Sequence, residues 1–332
     1  MGSAADPRAS GAGGGLAPTS PIRVGVSSCL LGRNVRYDGG HKHNSYITET
    51  LSQYIQLVPF CPEMAIGLGV PRPPIQLRRV VDAVRVVQSD APDVDLSERL
   101  CAYGRSVAAE HASLSGYIFK AGSPSCGTAG VPVHGGDGTP VASGTGMFAR
   151  AIMDALPLLP VEEEARLIDP ALRDNFLERV FILHRWRTRS ADGLTPAALV
   201  EFHSAHKFSV LAHDEQSYRE LGRLVATAGQ SDVRDVARRY IALLMTALAH
   251  LATRKRHTNV LMHALGFLTD ALDAGDKAEL LEIIDAYRNG RLPLAVPVTL
   301  LRHHLRRHPH PYLERQVYLW PDPGESMLRN GV

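Results

Sequence analysis

Cys29, Cys61 and Cys126 are the side chains whose chemistry first demands an explanation. Each lies in a stretch built of loop-forming residues, SSCLLG, CPE and SPSCG, with 31 and 64 residues between them. Loop tips bury a small hydrophobe poorly and present a ligand well. Cys101 differs, because LCA lies mid-helix and reads as a small core residue. Three cysteines without a fourth fit two metal readings. One is zinc with an open position, which usually takes mixed nitrogen and sulfur ligands. The other is a 4Fe–4S cluster that lacks one protein ligand, leaving an iron free for a substrate atom. That iron is a thiophilic Lewis acid, so sulfur-bearing substrates suit it. An electron carrier with a full ligand set needs no such vacancy, so the count points to substrate chemistry.

No CxxC spacing links the three cysteines, so backbone topology has to gather them. Ile22–Ser27, Leu57–Phe60, Val80–Val87 and Gly116–Lys120 read as short buried strands, and 96–114 reads as a helix. A further helix follows GTG at 144–146. Alternating short strands and helices predict an α/β domain with a mainly parallel, Rossmann-like sheet. In such a sheet the strand C-termini share one edge, and ligands bind in the crevice outside it. Cys29 follows the first strand, Cys61 the second, and Cys126 the GYIFK strand.

Beyond residue 160 the pattern changes to long amphipathic helices, predicted at 170–188, 195–213, 214–228, 232–253, 258–272, 276–289 and 296–308. The expected organisation is a disordered tail at 1–20, a catalytic domain at 21–158 and an all-α domain at 159–332. ALPLLPVEEEARL at 155–167 reads as the junction, with an acidic first turn opening a helix. The chain has 332 residues, 45% of them hydrophobic, which excludes wholesale disorder. Thirty-six basic against 34 acidic residues exclude nucleic-acid binding by bulk charge alone, though not a local basic face. Residues 1–20 contain no apolar signal core, and the apolar run at 241–252 is too short to span a bilayer. A reducing, cytoplasmic location is expected, where cysteines serve metal or chemistry more than bridges.

SSCLLGRNVRYDGGHK at 27–42, CPEMAIGLGVPRPPIQL at 61–77 and FKAGSPSCG at 119–127 closely resemble the bacterial thiouracil desulfidase family, over roughly residues 22 to 156. HKFSVLAHDEQSYRELG at 206–222, RKRHTNVLMHALGF at 254–267 and the segment 287–321 resemble the helical domain often fused to it, as in tRNA 4-thiouridine desulfidases. The resemblance implies that Cys29, Cys61 and Cys126 bind a 4Fe–4S cluster whose open iron takes sulfur from a thiolated uracil. It further implies a tRNA substrate carrying 4-thiouridine, converted to uridine with release of sulfide. Glu63, two residues after Cys61 in the family's CPE pattern, is then the general base on water. Ser123 is favoured over Ser125 as the serine that positions water or base. Asp38, Lys42, Lys120, Arg36 and Arg72 divide between site and scaffold, since Asp-Gly-Gly is itself a turn signal. Ser27 and Ser28 are expected to donate hydrogen bonds around a cluster.

In the helical domain two basic clusters are candidates for an RNA backbone: Arg254, Lys255 and Arg256, then Arg302, Arg306 and Arg307, with Lys207 beside them. The competing reading is a solvated helix face. A base stacked in tRNA must leave its stack to reach a crevice, and backbone contacts from a second domain would offset the unstacking energy. Tyr312, Tyr318 and Trp320 read as core more than as stacking platforms. The histidines accompany no HExxH or paired-carboxylate spacing, so no second metal site is expected from them. Desulfidation of free thiouracil, a non-catalytic iron–sulfur sensor that binds nucleic acid, and a zinc protein stay open beside the tRNA reading.

Overall fold

A computed structural model describes residues 20–191 and 193–330. The predicted tail at 1–20 lies outside these except for Ser20. These described residues separate into two compact units, one spanning 20–188 with 327–330 and the other 189–191 with 193–326.

The first unit opens with β1 (Arg23–Ser27) and a 3-10 turn at Ser28–Leu31, then β2 (Gln56–Phe60) and the short helix α1 (Pro62–Ala65). A hairpin of β3 (Ile75–Val80) and β4 (Ala83–Gln88) leads to α2 (Ser97–Glu110) and β5 (Gly116–Phe119). Next come β6 (Val131–His134), β7 (Pro140–Gly144), α3 (Met147–Ala155), β8 (Val161–Glu163) and α4 (Pro170–Ser190). Strands β2, β1, β5 and β8 form a four-stranded sheet in that order, every pair parallel. This is the expected α/β architecture. After β1 the chain turns to one side for β2 and later to the other for β5, so the crevice opens at the C-termini of these strands. Their buried faces pack Val24, Val26 and Ile118 against Phe176, Leu177, Val180 and Phe181 of α4. Gly25 is required there, since a Cβ would meet the Tyr117 ring at 2.3 Å.

Three sequence expectations change. The run at 80–87 is not one strand of the parallel sheet. The chain reverses at exposed Val81, where φ is 54°, and β3 and β4 join β6 and β7 in a second, mixed sheet. The acidic run at 161–163 opens no helix. It is β8, the edge strand of the parallel sheet, paired from Tyr117↔Val161 to Phe119↔Glu163. Consequently the compact units divide after residue 188, not 158, because α4 covers the first unit's sheet.

The second unit is helical, as expected: α5 (Pro196–His213), α6 (Glu215–Ala226), α7 (Val233–Ala249), α8 (Arg254–Leu268), α9 (Ala274–Arg288), α10 (Ala295–Arg307), α11 (Pro311–Glu314) and α12 (Pro323–Asn330), whose last turn belongs to the first unit. Thr195, Asp214, Asp232, Thr253 and Asp273 each cap a helix start by accepting backbone N–H bonds. Phe208, Leu261, Leu265, Leu280, Leu301, Leu305 and Tyr318 lie in its core, which settles Tyr318 as packing. No helix among the described residues is long and apolar enough to cross a membrane.

Candidate active site

Each of the three cysteines follows the C-terminus of a parallel strand: Cys29 after β1, Cys61 after β2, Cys126 seven residues after β5. All three line one cavity of about 190 Å³, together with Ser27, Ser28, Glu63, Arg72, Lys120 and Ser123. Cys126 is 5% exposed, and Cys29 and Cys61 are half-buried. Cys101 does not line it and packs beside Leu77, Leu96 and Leu100.

The loop after β5 is held from three sides. Glu164 accepts the Ala121 N–H at 2.7 Å and pairs with Lys120, while Glu163 accepts the Thr128 N–H and hydroxyl at 2.6 and 3.0 Å. Ser27 accepts the Lys120 N–H at 3.0 Å. At the start of α3, Met147 and Ala149 donate N–H bonds to the carbonyls of Pro124 and Ser125. A side chain at Gly146 would meet the Ser125 carbonyl at 2.6 Å, so the loop seats itself on glycine. Glu163 and Glu164 are functional scaffold that sequence reasoning assigned to a domain junction. Three consecutive glutamates after a valine gave no strand signal.

Glu63 stands in the first turn of α1, after Pro62. Its Oε2 accepts two bonds from Arg72, Nη2 at 2.6 Å and Nε at 2.9 Å, and its Oε1 accepts the Ser125 hydroxyl at 3.0 Å. Arg72 is 8% exposed and also donates to the carbonyls of Gly69 at 2.7 Å and Val35 at 2.8 Å. The carboxylate is thereby fixed in orientation and charge-compensated at the cavity wall. Ser123 has another task. Its Oγ accepts the N–H groups of Ser125 and Cys126 at 3.2 and 3.1 Å, forming the turn that presents Cys126. Ser123 lines the cavity, but the serine bonded to Glu63 is Ser125.

The remaining candidates divide. Lys120 and Arg36 line the cavity; Asp38 and Lys42 do not. Asp38 accepts the Gly40 N–H at 3.0 Å and is a turn-former, which holds its carboxyl below the usual range. The Lys42 side chain is exposed, while its N–H donates to the Cys29 carbonyl at 2.9 Å. Of the basic residues in the helical unit, Arg254 donates to the Tyr287 carbonyl at 2.8 Å and lies 4.8 Å from its ring. Arg302 bonds the Leu319 carbonyl and lies over Trp320. Arg307 stands 3.7 Å from Asp276, and Lys207 lies 5.4 Å from the Tyr218 ring. Lys255 and Arg306 are exposed and Arg256 is half-buried.

Burial dominates the thiol chemistry. It pushes Cys29 up to about 11, with Cys61 adding to the rise and Lys120 and Arg36 opposing it. Cys61 is raised as well, by burial first, and Cys126 is raised by burial together with Glu63, Cys29 and Cys61. Three thiols facing one cavity, one buried and two half-buried, are a donor set that a cationic iron–sulfur group would compensate.

Comparison with known proteins finds separate matches for two parts of the chain. The family model described as 2-thiouracil desulfurase matches residues 24–164, and a protein family of unknown function, DUF1722, matches 207–323. YbgA of Escherichia coli is 36% identical over 151 residues, covering 45% of this chain and 89% of that protein. YbbK of Bacillus subtilis is 28% identical over 141 residues, covering 39% of this chain and 89% of that protein. A solved structure titled as a [4Fe-4S]-dependent thiouracil desulfidase, TudS, is 27% identical and covers 44% of this chain and 93% of its own. Its TM-score is 0.33.

Proposed function

Because the chain belongs to the 2-thiouracil desulfurase family over residues 24–164 and carries a DUF1722 domain over 207–323, we propose that it is a 4Fe–4S-dependent desulfidase of a free thiolated uracil base. The observation that carries this reading is the convergence of Cys29, Cys61 and Cys126 on one cavity whose wall also holds Glu63. The reaction exchanges one atom: C=S and water become C=O and hydrogen sulfide, with no net oxidation or reduction.

Cys29, Cys61 and Cys126 would hold the cluster. When bound, it supplies an iron without a protein ligand, a thiophilic Lewis acid for the thiocarbonyl sulfur. The chain's own residues supply the rest. Glu63, oriented by its paired bonds from Arg72, takes the proton from the attacking water at Oε1 or Oε2. The Ser125 hydroxyl fixes which way the carboxylate faces. Lys120, tied to Glu164, places a positive charge at the cavity where sulfide departs. Ser123 holds the turn beneath Cys126.

4-Thiouridine in tRNA is the competing substrate. Its support is the charge of the exposed Lys255 and Arg306, while Arg254 and Arg302 are engaged with carbonyls and rings of their own unit. The test is sulfide release by anaerobically reconstituted protein from free 2- and 4-thiouracil and from tRNA containing 4-thiouridine. Turnover of the free base is expected. Turnover of the tRNA with none of the base transfers the activity to the tRNA reading, and turnover of neither overturns both.

A further inference from the structure

His304 lies on α10 and is 2% exposed, and neither of its ring nitrogens has a hydrogen-bond partner. A buried imidazole left in that state has lost its hydration without a compensating partner. Facing it is the first turn of α9, where Asp273 caps the helix by accepting the Asp276 N–H at 2.8 Å. Asp276 and Glu279 are three residues apart and so share one helix face. His304 Nδ1 stands 3.7 Å from Asp276 Oδ2, beyond hydrogen-bond range. One donor atom from each of Asp276, Glu279 and His304 lies within 4.8 Å of the other two.

We propose that Asp276, Glu279 and His304 form a binding site for a divalent cation of the zinc class, joining α9 to α10. Bonds of about 2.0–2.2 Å from an ion to an imidazole nitrogen and a carboxylate oxygen put those two atoms about 3.4 Å apart at a tetrahedral angle. The observed 3.7 Å closes to that with a small side-chain adjustment. The ion exchanges an orphaned nitrogen for a coordination bond, and Glu279, which is exposed, leaves the remaining positions open to water. Arg307 Nη1 also stands 3.7 Å from Asp276 Oδ2 and is the ion's competitor. Its side chain is 58% exposed, free to swing into solvent. The histidines alone hid this site from the sequence, because its carboxylates come from another helix 25 to 28 residues earlier.

The test is equilibrium dialysis of the full-length, cluster-loaded protein against Zn²⁺, with zinc and iron counted separately. Wild type is expected to retain one zinc per chain and to melt at a higher temperature with Zn²⁺ than without. Glu279→Gln and His304→Ala should bind zinc about tenfold or more weakly and lose the thermal shift, with iron unchanged. Because Glu279 is exposed, its variant keeps the test valid if His304→Ala fails to fold. Equal zinc uptake by wild type and Glu279→Gln, or no zinc retained by wild type, overturns the site.

Discussion

The cysteine cavity and the basic helix ends of the second unit gather their residues by opposite means. Cys29, Glu63, Arg72, Ser125 and Cys126 are spread over 98 positions and meet because parallel strands end at one sheet edge. Arg254, Lys255 and Arg256 are adjacent in sequence and are sent apart, since successive helix residues point about 100° from one another. Arg254 turns onto Tyr287 while Lys255 meets solvent. Proximity in sequence is thus the weaker guide to a shared site here. Strand ends position side chains jointly, whereas a charge run on a helix disperses them.

The largest expected effects test that contrast directly. Cys29→Ala, Cys61→Ala and Cys126→Ala should each lose iron and reduce sulfide release to background, while Cys101→Ala retains both. Glu63→Gln should keep its iron and lose about 10²–10⁴-fold in turnover, as removal of a general base does. Arg254→Ala, by contrast, should reduce thermal stability and leave turnover of free thiouracil unchanged. If Arg254→Ala abolishes turnover of the base while the protein stays folded, the contrast between the two regions fails.

Next in size is the division of labour between two serines. Ser125→Ala removes a hydrogen bond to a charged carboxylate, an interaction of about 1.5–3 kcal/mol, so turnover should fall roughly 10- to 100-fold with iron content retained. Ser123→Ala frees two N–H groups of the turn below Cys126 and should show first as lower iron content and lower melting temperature. The reverse assignment, with Ser123→Ala fully loaded but inactive and Ser125→Ala active, moves the catalytic contact to Ser123.

Much of this was legible in the sequence, for reasons tied to particular residues. The strands at 22–27, 57–60 and 116–120 are short, mostly apolar runs, as a largely buried parallel sheet favours, and they placed the three cysteines at one edge. Helices α4 to α10 follow their periodicity and fall within a few residues of the predicted bounds. What escaped notice depends on tertiary partners. β8 carries Glu162 and Glu163, and Glu164 follows it; Arg166 pairs with Glu162, Thr128 donates to Glu163, and the Ala121 N–H and Lys120 satisfy Glu164. The pairing of Glu63 with Arg72 and Ser125 spans 9 and 62 residues, and no spacing rule encodes it. Asp38, drawn in by a glycine-rich stretch, belongs to the turn that the stretch forms, and the Lys42 side chain lies exposed beyond it.

The smallest effect opposes the two units to each other through pH. In the helical unit, burial beside Lys207 lowers His203 to about 4, so the folded state holds it neutral while the unfolded chain protonates it below about 6.5. Between those values the unfolded state binds the extra proton, and this unit loses stability as pH falls. In the first unit, burial raises Asp174 to about 6, against opposition from Arg329 and Arg173. Between pH 6 and about 4 the folded state holds the extra proton, and this unit gains stability as pH falls. Allowing for solvent screening, each contribution is roughly 1–2 kcal/mol. The two tryptophans separate the signals, because Trp186 lies in the first unit and Trp320 in the second. In Trp186→Phe and Trp320→Phe backgrounds, fluorescence melts from pH 6.5 to 4 should show the second unit's midpoint falling relative to the first. Adding His203→Gln should flatten the fall. Adding Asp174→Asn should raise the first unit's midpoint at pH 7 and leave it unchanged at pH 4. Midpoints that move in parallel in all backgrounds would mean that neither buried group titrates as its surroundings dictate.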